Sequence, residues 1–323
     1  MDLKKYQQAK SGAMFSLIEG AELLYISGAD RINFLQRQST NDLNSLKAGS
    51  IIQTVLTSPT ARILDVLMVF TTTDEQTLCV LPLPDRVLRT EKFLKSRIFF
   101  MDKVTVKRAE DAFVHFELDG PVAADKLQAA NLAIETIPLP GEIKRLELAG
   151  FPAHLLRENL QNTKFRLLLP PDGKDQAMRI LERNGFILID EAERELMRIE
   201  AGIAGEKNEL TEEFTPLETG LQGIISSNKG CYTGQEIIAR QITYDKITRG
   251  LVGLHLQSAV QTGNPVMADG KPAGVVTSAA ISPTFGPIAL AVLKRPFCDT
   301  GAEICVQVEM KEVSGRVSAL PFQ

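Results

Sequence analysis

Residues 229 to 236 read KGCYTGQE and place a lysine, a lone cysteine and a helix start within one short stretch. Thr233 and Glu236 have the spacing of a capping box, so a helix is expected to begin there and run through Ile237, Ile238, Ala239 and Arg240. Cys231 then stands just ahead of a helix N-terminus. The positive end of that helix and the ammonium of Lys229 both favour a thiolate, the form of cysteine that reacts or ligates. Gly230 and Gly234 let the backbone turn tightly around it. Free cysteines are also among the most buried residues, and no His or Asp lies beside this one, so packing and chemistry are both open readings of Cys231 at this point.

Beyond Arg249 helix periodicity vanishes and short strands follow, with a hairpin expected at Asp269 and Gly270 between PVMA and KPAGVVTSAA. Five or six short strands in this region predict a small β-barrel or sandwich as a C-terminal module over residues 248–323, leaving 1–247 as the core. Upstream, Asp190 and Glu193 are placed to cap a helix whose apolar face is Leu196, Ile199 and Ile203. Glu200 borders that face. A carboxylate on the buried side of a helix is costly unless it is paired, so a structural ion pair and a ligand contact are its two readings.

Residues 112 to 189 alternate strand and helix: VHFEL, a helix around Val122 to Ala130, IKRLEL, PAHLLR, FRLLLP and a helix ending at Asn184 with Gly185 as cap. That order is compatible with a ferredoxin-like α+β unit. Nearer the start, Ser27 and Asp30 have capping-box spacing ahead of a helix to Gln38. β-rich runs at 51–57, 62–71 and 77–82 follow, the last beyond a polar turn at Thr73 to Gln76, and Pro84 fits the first turn of a helix carrying Val87, Leu94 and Ile98.

The chain has 323 residues, long enough for two or three domains, and carries 36 Lys and Arg against 40 Asp and Glu. A net charge of -4 leaves no electrostatic footprint for nucleic acid, so no direct nucleic-acid contact is expected. Cys79, Cys231, Cys298 and Cys305, with His115, His154 and His255, are scattered without metal-ligand or disulfide spacing, so no stably bound metal is expected. The opening MDLKKYQQAKSGAMF lacks an apolar stretch with a cleavage site and no later segment has membrane-spanning length; the cytoplasm is the expected compartment.

With these pieces in order, the chain resembles the YgfZ family, folate-binding iron-sulfur assembly proteins related to the glycine-cleavage T-protein. KGCYTGQE matches that family's signature, and SGADRINFLQRQSTNDL at Ser27 to Leu43, LTSPTARILDVL at Leu56 to Leu67 and MRIEAGI at Met197 to Ile203 occur in its order. One departure is Ala61, where the family has glycine before the arginine. The resemblance implies an α+β fold, a T-protein-like three-domain ring of two interleaved ferredoxin-like subdomains closed by the C-terminal β-barrel.

It further implies that Glu200 recognises the pteridine ring of tetrahydrofolate or a derivative. Arg240, on the helix after the signature, is read either as a contact to an anionic folate tail or as an exposed helix arginine, and Gln53 and Arg62, at strand ends, are the further candidate folate contacts. Cys231 would be the functional thiol and Lys229 would stabilise its thiolate. The function implied is assistance in assembling or repairing 4Fe–4S clusters, with iron-sulfur client enzymes and assembly proteins as partners and tRNA methylthiolation as an indirect beneficiary. The alternative is a tetrahydrofolate-dependent aminomethyltransferase or demethylase. LCVLPLPDRV, Leu78 to Val87, lacks the asparagine of the related T-protein strand and offers only Asp85 as a nearby acid, which favours an assembly factor over a classical transferase.

Overall fold

The computed structural model describes residues 2–71, 76–109, 113–130, 136–159 and 163–323; all of the turn expected at Thr73 to Gln76 except Gln76 lies outside them. In chain order the strands are β1 (Met14–Leu17), β2 (Leu24–Ser27), β3 (Ile51–Thr57), β4 (Ile63–Thr71), β5 (Thr77–Leu81), β6 (Thr105–Arg108), β7 (Val114–Asp119), β8 (Ile143–Leu148), β9 (Phe151–Arg157), β10 (Phe165–Leu169), β11 (Ile187–Leu188), β12 (Arg249–Leu256), β13 (Pro265–Ala268), β14 (Lys271–Ser282), β15 (Gly286–Lys294), β16 (Glu303–Val308) and β17 (Lys311–Ser318). The helices are α1 (Leu3–Ser11), α2 (Arg31–Gln38), α3 (Val87–Lys95), α4 (Ala123–Ala129), α5 (Lys174–Arg183), α6 (Glu191–Glu200) and α7 (Gln235–Thr243). No helix among the described residues is long and apolar enough to cross a membrane.

The chain divides into two compact units. The first comprises Met1–Thr57, Asp65–Glu191 and Ile224–Thr233; the second comprises Ser58–Leu64, Ala192–Gly223 and Gly234–Gln323. In the first, a six-stranded sheet has the order β11-β1-β7-β10-β9-β8 and a five-stranded sheet the order β3-β4-β5-β2-β6. All of β2 to β6 lie in the chain between β1 and β7, so the two sheets are interleaved, as expected.

Alternation sorts the residues of β7. Phe116 and Leu118 face a core with Ala123 and Leu127 of α4 and Ala177 and Leu181 of α5, while His115 and Glu117 point to the opposite face. A second core joins the sheets through Ile51, Met68, Phe70, Cys79 and Leu81 from one and Ile143, Leu156 and Leu168 from the other.

In the second unit, β12-β15-β14-β13-β16-β17 close into a barrel, and alternating residues such as Val252, Leu254 and Leu256 fill it. The hairpin falls as expected: Asp269 and Gly270, both at positive φ (49° and 68°), join β13 to β14. The barrel strands begin at Arg249, while the unit that holds them also takes in α6 from Ala192 and the segment after it.

Several local expectations shift. Asp30 does precede α2 but makes no side-chain cap; its Oδ2 accepts instead from the Lys103 N–H at 2.8 Å. Pro84 lies outside α3, which starts at Val87 because Asp85 adopts φ 61° and donates its N–H to the Gly20 carbonyl at 2.8 Å. α6 stops at Glu200, so Ile203 lies beyond its apolar face. Ala61 sits at φ 59°, left-handed backbone where an L side chain is strained, which is the physical reason a glycine suits this turn.

Asp65 of β4 is wholly buried. Its Oδ1 accepts from the N–H groups of Val66 (2.8 Å) and Leu83 (3.2 Å), and its Oδ2 from Thr90 Oγ1 of α3. Burial outweighs these bonds and pushes the carboxyl from 3.8 up to about 6. With the native pKa above the unfolded one, the native state holds a proton that the unfolded chain has released. The stabilisation from this group is therefore complete below the unfolded value and lost as pH rises through about 6. Asp65→Asn is expected to flatten the fall in melting temperature across that window and to melt higher than the parent at neutral pH; an unchanged pH slope in thermal melts would rule Asp65 out as its source.

Candidate functional site

Two stretches far apart in sequence meet in the first unit. The ammonium of Lys229 donates to the carbonyls of Gln36 (2.8 Å), Ser39 (2.6 Å) and Asn41 (2.6 Å). Gln36 belongs to the last turn of α2 and Ser39 is its C-cap, where carbonyls lack intrahelical partners and the dipole favours a cation. All three ammonium protons are thereby directed at backbone oxygens. Burial pushes this ammonium down to about 8, against the pull of Asp42, so it remains a cation at neutral pH. The loop is stitched on further by Ser226 N–H to the Thr40 carbonyl (3.0 Å), Thr40 Oγ1 to the Ile224 carbonyl (2.9 Å) and Thr57 Oγ1 to the Thr233 carbonyl.

Tyr232 is buried, with the Lys229 ammonium 5.2 Å from its ring centroid, and burial pushes its hydroxyl up to about 12. Cys231, one residue earlier, is exposed as a free thiol, which removes the packing reading. The helix after it differs from expectation. α7 begins at Gln235, its N-cap is Gly234 at φ 84°, and no side chain caps it. The Thr233 carbonyl takes the Thr57 hydroxyl, and Glu236 pairs forward with Arg240 at 2.6 Å instead of reaching back. The turn depends on Gly234 alone, since a Cβ at Gly230 would meet open space.

The remaining expected contacts fall into separate settings. Gln53 of β3 lies in the first unit, where its carbonyl accepts from Asn41 Nδ2 at 2.8 Å, linking it to the Lys229 clamp. Its side chain turns toward Glu158, and its Oε1 is buried without a hydrogen-bond partner among the described residues. In the second unit, Arg62 donates to the Glu213 carbonyl at 2.8 Å and lies 3.6 Å from Glu218, which Arg249 holds in a two-pronged pair at 2.8 and 2.9 Å. Arg240 is exposed and paired with Glu236. Glu200 is only 5% exposed, and its Oε1 accepts from Ser282 Oγ of β14 at 2.6 Å. A neutral hydroxyl is thus one of the groups that satisfy this buried carboxylate.

Profiles of two domain families match the chain: the GCVT N-terminal domain over residues 18–229 and the glycine cleavage T-protein C-terminal barrel domain over 249–323. The chain belongs to the glycine cleavage T-protein family. A chloroplastic protein of Arabidopsis thaliana named as a transferase is 32% identical over 300 residues, covering 92% of this chain and 68% of that protein. The aminomethyltransferase of Listeria innocua is 27% identical over 318 residues, covering 96% of this chain and 86% of its own. Aminomethyltransferase T of the Bartonella henselae glycine cleavage system superposes with a TM-score of 0.86 at 23% identity, over 99% of this chain and 89% of that one, which shows the T-protein fold.

Sequence reasoning missed a buried ionic cluster in this T-protein family member. On the inter-sheet face, Glu117 accepts from Lys164 at 3.0 Å, Arg166 pairs with Glu158 at 2.7 Å, and Arg166 donates to His115 Nε2 at 3.0 Å. Burial opposes the Lys164 charge, but Glu117, Glu158 and Asp119 outweigh it and hold the ammonium above its usual value. The one available signal was the alternation of charge with Phe116 and Leu118 along VHFELD. Ser282 had no sequence signal at all, because a serine ending a strand is ordinary.

Lys229→Met keeps the stem but leaves three carbonyls without their donor, which is expected to cost about 1–3 kcal/mol. Thermal or urea unfolding measures the loss, and hydrogen exchange should rise over residues 224–233 and the end of α2. Unchanged protection in both stretches would show that the clamp does not hold them together.

Proposed function

We propose that this T-protein family member is a YgfZ-like, folate-binding factor that assists assembly or repair of 4Fe–4S clusters in client enzymes, and so supports tRNA methylthiolation indirectly. The observation that carries this reading is the state of Cys231, an exposed thiol on a loop whose neighbouring lysine is fully engaged with backbone carbonyls. The loop is anchored while its sulfur stays open to another molecule. In this reading Lys229 serves the thiol by fixing the loop.

A cluster normally takes four ligands. Among the described residues no grouping of three or more His, Cys, Asp or Glu side chains could hold a metal. In this reading Cys231 is one ligand or exchange partner, and the client or assembly protein supplies the rest. The cluster is cargo.

Tetrahydrofolate or a derivative fits Glu200 on chemical grounds. A carboxylate can accept two parallel hydrogen bonds, which suits the amino and ring N–H groups of a pterin. Arg62 and Arg240, which belong to the same unit as Glu200, are secondary folate contacts in this proposal.

Cys231→Ser is expected to lower iron-sulfur client activity in cells while calorimetric tetrahydrofolate binding persists; client activity equal to the parent would remove the thiol role. Glu200→Gln is expected to weaken tetrahydrofolate binding at least several-fold, and an unchanged affinity would take Glu200 out of the pocket.

A second reading, a tetrahydrofolate-dependent aminomethyltransferase, is favoured by the relatives that carry that name. Against it, LCVLPLPDRV carries no asparagine. Incubation of the purified protein with tetrahydrofolate and amine donors separates the two. No methylene transfer above background is expected, and turnover at enzymatic rates would establish the transferase.

A further inference from the structure

We infer that Ser282 is a positioning residue for Glu200, fixing its carboxylate to receive a paired N–H edge; this rests on the reading of Glu200 as the folate contact. A hydroxyl has one proton and two lone pairs. Ser282 Oγ accepts from the N–H groups of Thr284 (3.0 Å) and Phe285 (2.9 Å), which occupies both lone pairs. Its proton is left for Glu200 Oε1 at 2.6 Å. The donor direction is set by the turn between β14 and β15, where Ser282 stands opposite Gly286.

The same strand holds α6 at a second point. Ser278 Oγ donates to Glu209 Oε1 at 2.7 Å and accepts from Arg198 Nη2 at 2.7 Å, so Arg198 and Glu200 are both registered on β14 through serine hydroxyls. Between them Ile199 packs with Ile288, Leu290 and Phe322, and the Phe322 N–H donates to the Glu200 carbonyl at 3.0 Å. The backbone and one carboxylate oxygen of Glu200 are thus held before any ligand arrives. Such preorganisation removes the side-chain ordering cost from binding.

The test titrates tetrahydrofolate calorimetrically into the full chain and its Ser282→Ala, Ser282→Thr, Glu200→Gln and Ser282→Ala/Glu200→Gln variants, with melting temperatures alongside. Ser282→Ala is expected to weaken binding about tenfold, as for loss of a hydrogen bond to a charged group. Ser282→Thr, which keeps the hydroxyl, should recover most of that affinity. The double variant should bind no more weakly than Glu200→Gln alone, because Ser282 acts through Glu200.

Parental affinity in Ser282→Ala, even with a lowered melting temperature, would overturn the inference, as would losses that add in the double variant. If Glu200→Gln weakens binding and Ser282→Ala does not, the inference alone fails. If Glu200→Gln binds like the parent, the folate reading of Glu200 fails and the inference with it.

Discussion

The ammonium of Lys229 on three carbonyls at the end of α2 is the contact on which the first unit's candidate site depends. A helix C-terminus leaves carbonyls without intrahelical donors, and a cation with three N–H bonds answers both their hydrogen-bonding need and the helix dipole. One side chain therefore joins the stretch SGADRINFLQRQSTNDL to KGCYTGQE. Thr40 and Thr57 complete the join, and Cys231 is left facing outward from a loop with little freedom to collapse over it.

In the second unit the organising element is β14. Its hydroxyls at Ser278 and Ser282 reach the final turn of α6, where buried Arg198 and Glu200 would each be costly without partners. The barrel strand thereby acts as a ruler for a carboxylate two hundred residues into the chain. This explains why the compact unit that holds the barrel also includes α6 and the segment up to Gly223.

Much of the architecture was legible in sequence. Runs at 51–57 and 62–71 became β3 and β4 almost residue for residue, and Asp269-Gly270 made its hairpin, because both signals are local. Helix starts were less legible. The capping-box pairs at Ser27/Asp30 and Thr233/Glu236 have the right spacing, yet the Asp30 and Glu236 carboxylates are taken by the Lys103 N–H and by Arg240. Spacing names a candidate donor and acceptor; tertiary competition decides who receives the bond.

The sequence by itself determined the strand runs, the barrel region and the uncommon octapeptide around Cys231, since these follow from periodicity, turn chemistry and residue identity. Only the tertiary structure decided that Lys229 turns its protons to α2, that Cys231 is exposed while Tyr232 is buried, and that Glu200 answers to Ser282. The physical reason is separation along the chain. Lys229 and Gln36 lie far apart in sequence, as do Glu200 and Ser282, and no local propensity encodes a hydrogen bond whose two ends meet only after the sheets and the barrel have closed.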